Sequence, residues 1–241
     1  MCYYVSITPK VPDIELNFKA KFVFPEKYKA IYVASAFTFP FIPVISNEEP
    51  TVISFFQWGL VPSWVKNSLT ASKIRTKTLN ARAETVFEKP SFKHSILSKR
   101  CLVLVDGFYE WRHENKKTYP YYVRLRDEKP FALAGIWDSW TNQLDGKNTE
   151  TFSIVTTRAN SLLEKIHNTR KRMPVILTKE DESVWLDNNT SKDTLISIMI
   201  PYDDKKLKAH TVSRMLRSRG LSNSDSSITE EYNYQDLQPL S

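Results

Sequence analysis

Apolar and polar positions along this chain fall into short runs with the period of strands. "YYVSIT" opens the sequence, and "TVISFFQWGLVPSW" follows a turn rich in Pro and Glu. "RCLVLVDGFYEW", "YPYYVRLR", "FALAGIWDSW" and "TFSIVTT" then come in close succession. These runs are rich in β-branched and aromatic residues, which suit a pleated, half-buried surface. "HENKK" and "GKN" read as connections between paired strands. Strands in such close succession predict a β-rich α+β fold, its mainly antiparallel sheets folded into a barrel-like core with peripheral helices.

Helical spacing is less frequent. "DIELNFKAKF" carries it, and "ARAETVFE" with "PSFKHSILS" reads as one helix broken at Pro90. In "NSLLEKIH", Ser161 and Glu164 form a capping-box pair. "TKEDESVWL" and "SKDTLISIMI" are helices begun by Thr178 and Ser191. No internal repeat or linker divides the chain, so residues 1–216 read as one domain. From Arg217 the sequence turns polar, and 217–241 reads as a flexible C-terminal tail.

Composition narrows the function classes. The 241 residues are 41% hydrophobic and 25% charged, the balance of a globular protein with an ample core. The net charge of +7 favours nucleic acid or another polyanion without establishing it. Cys2 and Cys101 make no disulfide framework, and His94, His113, His167 and His210 show no zinc spacing, so no metal and no cofactor are expected. There is no signal-peptide pattern and no apolar run long enough for a membrane span, which predicts a cytoplasmic, reducing environment.

Several stretches are unusual for plain packing. Cys2 directly follows Met1, so loss of Met1 gives Cys2 a free amine and a free thiol on adjacent carbons; alternatively it is a small apolar residue of the first strand. In "DGFYEW", strand alternation sets Tyr109 and Trp111 on one face and Glu110 with Phe108 on the other. Burial there would raise the Glu110 pKa toward the range of a general acid/base, whereas solvent exposure would leave it ordinary. In "NAR", an extended backbone projects Asn80 and Arg82 to one side, suited to a sugar and a phosphate; the other reading pairs Arg82 with Glu84. His167 ends a short helix whose dipole favours the imidazolium, and Arg170, Lys171 and Arg172 follow it as either a phosphate-lined cleft or a solvated face. Trp58, Trp64 and Trp111 are either stacking platforms or core.

Taken in order, Cys2, "WGLVPSW", "NARAET", "DGFYEW", the "IH…RMPVIL" segment and "HTVS" resemble the SOS-response-associated peptidase family, also called abasic-site processing proteins. They span positions 2 to 213. The resemblance implies removal of Met1 and covalent capture of abasic sites by Cys2 as a thiazolidine. The implied partners are single-stranded DNA and single-strand/duplex junctions, bound in a positively charged groove. It assigns Asn80 to the opened sugar, Glu110 and His167 to proton transfer, Arg82 and Arg172 to phosphates, and Trp64 and Trp111 to DNA contact. A monomer is expected, associated with the nucleoid during DNA damage if bacterial. The older family name suggests a cysteine peptidase, with lyase-type or self-processing chemistry, and a non-covalent single-strand binder is the third reading. The chain departs from the family pattern in several places: "CYY" stands for the usual "CGR", placing Tyr4 where an arginine is common. Five residues separate His167 from Met173, Val65 follows Trp64, and "VASAFTFP" lacks an "N-x-A-P" pattern.

Overall fold

In a computed structural model, which describes residues 1–217 and 223–240, the alternating runs are indeed strands. In chain order the elements are β1 (Tyr4–Ile7), α1 (Val11–Phe18), β2 (Lys21–Phe22), β3 (Ile31–Ser35), β4 (Phe41–Ser46), β5 (Val52–Trp58), α2 (Ser68–Arg75) and β6 (Asn80–Arg82). Then come α3 (Ser95–Ser98), β7 (Arg100–Val105), β8 (Gly107–Glu114), β9 (Lys117–Leu125), β10 (Phe131–Thr141), β11 (Asn148–Arg158), α4 (Ser161–Ile166), β12 (Arg172–Pro174), α5 (Lys179–Leu186), α6 (Lys192–Ile198) and β13 (Leu207–Thr211).

Strands β11, β10, β7, β4 and β5 pair in that order, and a parallel contact of β5 with β11 closes them into a five-stranded barrel. Inward-facing Val44, Phe56, Trp58, Cys101, Val103, Leu133, Trp137, Phe152 and Ile154 fill it, as the period of two requires. Trp58 is fully buried, stacks on Phe152 and donates from Nε1 to the Leu79 carbonyl, so it is core and not a stacking platform. Cys101 is sealed inside, and burial raises its thiol pKa well above the ordinary cysteine range. A second sheet runs β13-β9-β8-β1-β3. The helices lie outside both sheets, giving the α+β class with a barrel core that the strand pattern predicts.

"RCLVLVDGFYEW" is not one strand. It breaks at Asp106, where the chain leaves the barrel as β7 and enters the second sheet as β8. The Asp106 carboxylate accepts from Ser6 Oγ (2.5 Å), from Thr8 N (3.0 Å) and from Thr8 Oγ1. This clamp fixes β1 against β8, with Tyr4 opposite Tyr109. "HENKK" turns β8 into β9 with positive φ at Asn115 (49°) and Lys116 (60°), as a tight hairpin requires.

Other expectations change. "ARAETVFE" begins as β6, pairing in parallel with β11, and continues as a 3₁₀ turn, because a sheet edge offers partners that a local helix lacks. Helix α2 shows little periodicity in sequence and rests on its Asn67 cap, whose Oδ1 accepts from Leu69 N and Thr70 N. In α4 the cap is Asn160, not Ser161, whose hydroxyl goes to Asp204. Thr178 and Ser191 cap α5 and α6 as expected.

Of the C-terminal stretch 217–241 read as a tail, residues 218–222 and 241 lie outside the described residues. Residues 223–240 return to the second sheet: Tyr32 N donates to Asn223 O, Tyr232 N to Thr211 O, and Ile228 is buried. Their polar composition hides a few apolar anchors, Ile228, Tyr234, Leu237 and Leu240, which suffice for docking on an existing surface.

Arg100, at the start of β7, is fully buried and donates to the carbonyls of Trp185 (2.6 Å), Ile96 (3.0 Å), Leu97 (2.7 Å) and Asp187 (2.6 Å). It ties the ends of α3 and α5 to the barrel. Arg100→Met should lower the unfolding free energy by about 3 kcal/mol in a urea titration, since buried carbonyls are left unpaired; a loss under about 1 kcal/mol would mean that these helix ends are held otherwise.

Candidate functional site

The first residues of the chain run into a pocket between β8, β6 and the end of α4. Cys2 lies two residues before the start of β1 at Tyr4, and the Asp106 clamp holds β1 against β8. The Asn80 amide donates to the Cys2 carbonyl at 2.9 Å. Asn80 and Arg82 project from one side of β6, with Ala81 buried on the other. The Asn80 Oδ1 is buried without a hydrogen-bond partner among the described residues.

Glu110 sits mid-strand on β8 and is 2% exposed, facing inward with Phe108, as alternation requires. The Met1 amine lies 3.3 Å from Glu110 Oε1, 3.2 Å from His167 Nδ1 and 3.3 Å from His167 Nε2. His167 Nδ1 lies 3.6 Å from Glu110 Oε2. The N-terminal amine, a carboxyl and an imidazole thus meet in one partly enclosed space.

Burial controls the electrostatics. Desolvation raises the Glu110 pKa to about 7, against the lowering effect of the neighbouring amine. His167 moves the other way. Burial, reinforced by the amine's charge, takes it down to about 4, opposite to the direction in which the helix dipole acts. A six-residue helix supplies a weak field, and a buried imidazole beside a cation loses more by charging than the helix end returns. His167 Nδ1 donates to the Arg172 carbonyl at 2.8 Å, which leaves Nε2 as the acceptor. The residues inserted after His167 fold into a turn: Lys171 N donates to His167 O at 2.8 Å and Lys171 takes φ 48°. The longer spacing therefore still brings His167 and Arg172 together.

Cys2 itself is fully buried in the Met1-bearing chain. Burial, with the Glu110 charge adding, pushes its thiol far above the ordinary range. Its Sγ lies 4.0 Å from the Tyr4 carbonyl.

The outer site residues separate into two groups. Arg82 is exposed, as are Arg170 and Lys171. Arg82 and Arg170 both act on the Tyr3 phenol, opposing the pKa rise that its burial causes, which places the two cations around the N-terminus. Arg172 is engaged instead: its guanidinium is paired with Glu84 and donates to Thr156 O at 2.6 Å. Glu84 thus belongs to Arg172 and not to Arg82. Trp64 is 52% exposed, whereas Trp111 is 8% exposed and packs edge-on against Tyr4 at 4.8 Å. Tyr3 and Tyr4 both meet the exposed ring of Phe37, so aromatic surface stands where the family commonly has an arginine. His210 of "HTVS" is not in this pocket; its Nε2 donates to Thr229 O at 2.7 Å. Sequence reasoning missed Phe37, whose only signal is an exposed aromatic in a short turn. Among the described residues no group of His, Cys, Asp and Glu could hold a metal ion, and no helix is long and apolar enough to cross a membrane.

Known proteins share this arrangement of sequence and fold. Residues 1–219 match the family model described as SOS response associated peptidase (SRAP). Abasic site processing protein YoqW of Bacillus subtilis (strain 168) is 37% identical over 221 residues, which cover 90% of this chain and 95% of that relative. Abasic site processing protein HMCES of Xenopus tropicalis is 36% identical over 162 residues, 59% of this chain and 47% of that longer protein. The crystal structure of a protein from Bacteroides thetaiotaomicron superposes with a TM-score of 0.90 at 38% identity, covering 96% of this chain and all of that one. With the family model matched over nearly all of the folded chain, this protein is a member of the SOS response associated peptidase family.

Proposed function

We propose that the protein acts on abasic sites in DNA, and that it captures them covalently through the amine and thiol of Cys2 once Met1 has been removed. The observation that carries this reading is the N-terminal amine held within 3.3 Å of both Glu110 and His167. An N-terminus is ordinarily solvated; here it is led into a desolvated acid–base pair.

The chemistry follows from the groups present. Removal of Met1 leaves Cys2 first in the chain, still tethered by Asn80 through its carbonyl. An α-amine has a pKa of about 7.7–8.0, so a useful fraction is neutral near pH 7. It attacks the aldehyde carbon of the ring-opened sugar, and water leaves as the Schiff base forms. The thiol then adds across the C=N bond; its proton passes to the nitrogen, and a five-membered thiazolidine closes. Glu110, poised near 7, serves both directions of proton transfer, taking protons from amine and thiol and returning one to the departing hydroxyl. Neutral His167 accepts through Nε2, and Asn80 Oδ1 is open to a sugar hydroxyl. Arg82, with Arg170 beside it, supplies phosphate contacts that hold the strand against the reacting atoms. Exposed Trp64 offers a face to an unpaired base. Arg172 works indirectly, its carbonyl holding the His167 ring.

The cysteine-peptidase reading is less well supported. A thiol nucleophile for external substrates needs a paired base and a lowered pKa, and here the thiol is raised and its polar neighbour is a backbone carbonyl. Cleavage of the chain's own Met1–Cys2 bond, which adds one water, remains compatible with Glu110 and His167 at that residue.

With a single-stranded oligonucleotide carrying one abasic site, the intact mass should show protein without Met1 plus the oligonucleotide minus one water. Cys2→Ala should give no heat-stable adduct and keep salt-sensitive binding; a stable adduct from that variant sinks the proposal. Arg82→Ala should lower affinity for all sequences and reduce the slope of log K against log salt by about 1. An unchanged slope would remove Arg82 from the phosphate track.

Glu110→Gln should slow capture by about 10²-fold with little change in Kd, and abolish the rise in rate between pH 6 and 8. The same change tests the burial argument. Glu110 holds its proton more tightly folded than unfolded, so its charging cost is absent below the ordinary carboxylate range and complete above pH 7. Glu110→Gln should therefore stabilise the fold by on the order of 2 kcal/mol at pH 8, with the gain fading as pH falls from 7 toward 4.5. A gain in thermal stability that does not vary with pH would contradict the assigned environment.

A further inference from the structure

We propose that the Glu110-bearing face of the β8–β9 hairpin continues as a nucleic-acid contact strip, and that the acidic segment 223–240 of the same chain occupies this strip until a DNA strand displaces it. The inference rests on the DNA reading above but concerns different residues. The segment lies beyond the family match, which ends at residue 219.

The placement follows from strand geometry. Glu110, Arg112 and Glu114 alternate onto one face of β8, and their cross-strand partners on that face are Tyr121, Tyr119 and Lys117. At 3.3 Å per residue, Arg112 and Glu114 stand about 7 and 13 Å along β8 from Glu110. The strip thus leads directly away from the N-terminal pocket. Asn168, the neighbour of His167, bonds to both backbone groups of His113 and ties the loop after α4 to this hairpin.

Segment 223–240 carries Asp225, Glu230, Glu231 and Asp236 and no lysine, arginine or histidine. Ile228 anchors the start of the segment on the opposite face, beside Tyr109 and Trp111, and the stretch from Tyr234 to Gln238 meets the strip with complementary charge. Lys117 Nζ pairs with Asp236 at 2.5 Å, and Arg112 Nη1 donates to Gln238 O at 2.8 Å. The Arg214 guanidinium is held between the rings of Tyr119 and Tyr234, 4.6 and 4.7 Å from their centres. Beside these contacts a cavity of about 280 Å³ is lined by Trp111, Lys117, Thr118, Pro120 and Arg214. Trp111 and Pro120 lie on the face opposite Glu110, so this cavity borders the strip only at Lys117 and Arg214.

A carboxylate on a lysine and a ring against an arginine are what a phosphate and a base would supply to the same groups. Arg112 stays paired with Glu114 at 2.5 Å, so Lys117 and Arg214 are the cations that the segment engages most directly. A tethered competitor acts at high effective concentration, and it weakens binding of any strand that needs the strip while leaving the pocket itself intact. Short strands that reach only the pocket would be unaffected; longer ones would compete.

The test uses an unmodified single-stranded 20-mer, which carries no aldehyde, and fluorescence anisotropy over a salt series. The full chain is compared with one ending after residue 222, with Asp236→Asn in the full chain, and with Lys117→Gln in the shortened chain. The shortened chain, shown folded by its circular dichroism and melting, should bind roughly tenfold tighter, with a salt slope steeper by about 2. Lys117→Gln in it should recover about one unit of that slope, and Asp236→Asn should tighten the full chain about threefold. If the shortened chain does not fold, the Asp236→Asn result decides. Unchanged affinity and slope in a folded shortened chain, or no effect of Asp236→Asn, overturns the proposal. Adducts with an abasic 20-mer are scored separately: their absence, with the tail effect retained, counts against the capture chemistry alone.

Discussion

The burial of one carboxyl organises the site. Glu110 lies in the middle of a central strand with water excluded, and such a group is charged only at a cost that grows with its isolation. The N-terminal amine is the cation that offsets this cost, and its position is fixed by the register of β1 against β8. That register depends in turn on Asp106, which accepts from Ser6 and Thr8 where the chain changes sheets. A slip of β1 by one residue would move the amine off Glu110 and reverse every side chain of the strand.

The same physics explains why His167 and Glu110 behave as a complementary pair. Desolvation favours the neutral form of each, which raises the acid to about 7 and lowers the base to about 4. The site therefore contains a carboxyl able to change charge near neutrality beside an imidazole that stays neutral and oriented. Arg172 does not add a free positive charge, because Glu84 and the Thr156 carbonyl hold it; its carbonyl instead orients His167. Arg82, Arg170 and Lys171 are exposed, and Arg82 and Arg170 act on the Tyr3 phenol next to the N-terminus.

Cys2 in the Met1-bearing chain is protected. Its thiol is fully buried and held far from ionisation, so premature oxidation or alkylation is disfavoured while the first residue is in place. The acidic segment 223–240 packs its last residues along the Glu110-bearing face of the β8–β9 hairpin, on anchors too sparse to be seen in its polar composition.

Much of this protein is readable from its sequence. Period-two alternation located the long strands and set Glu110 on the Phe108 face, away from Tyr109 and Trp111; that this face is buried was left open and is decided by the packing. The tight "HENKK" turn, the Thr178 and Ser191 caps and the order of motifs were likewise local signals. What the sequence could not determine was which distant group meets which. The Met1 amine and His167 are 166 positions apart; Glu84 chose Arg172 over Arg82; β5 closed the barrel on β11 in parallel; and a polar tail docked through four apolar residues. Periodicity and propensity report the environment that a residue prefers, so they specify faces and turns. Pairing and the resulting pKa shifts depend on how much water the assembled chain excludes, and that is decided only when segments far apart in sequence are packed together.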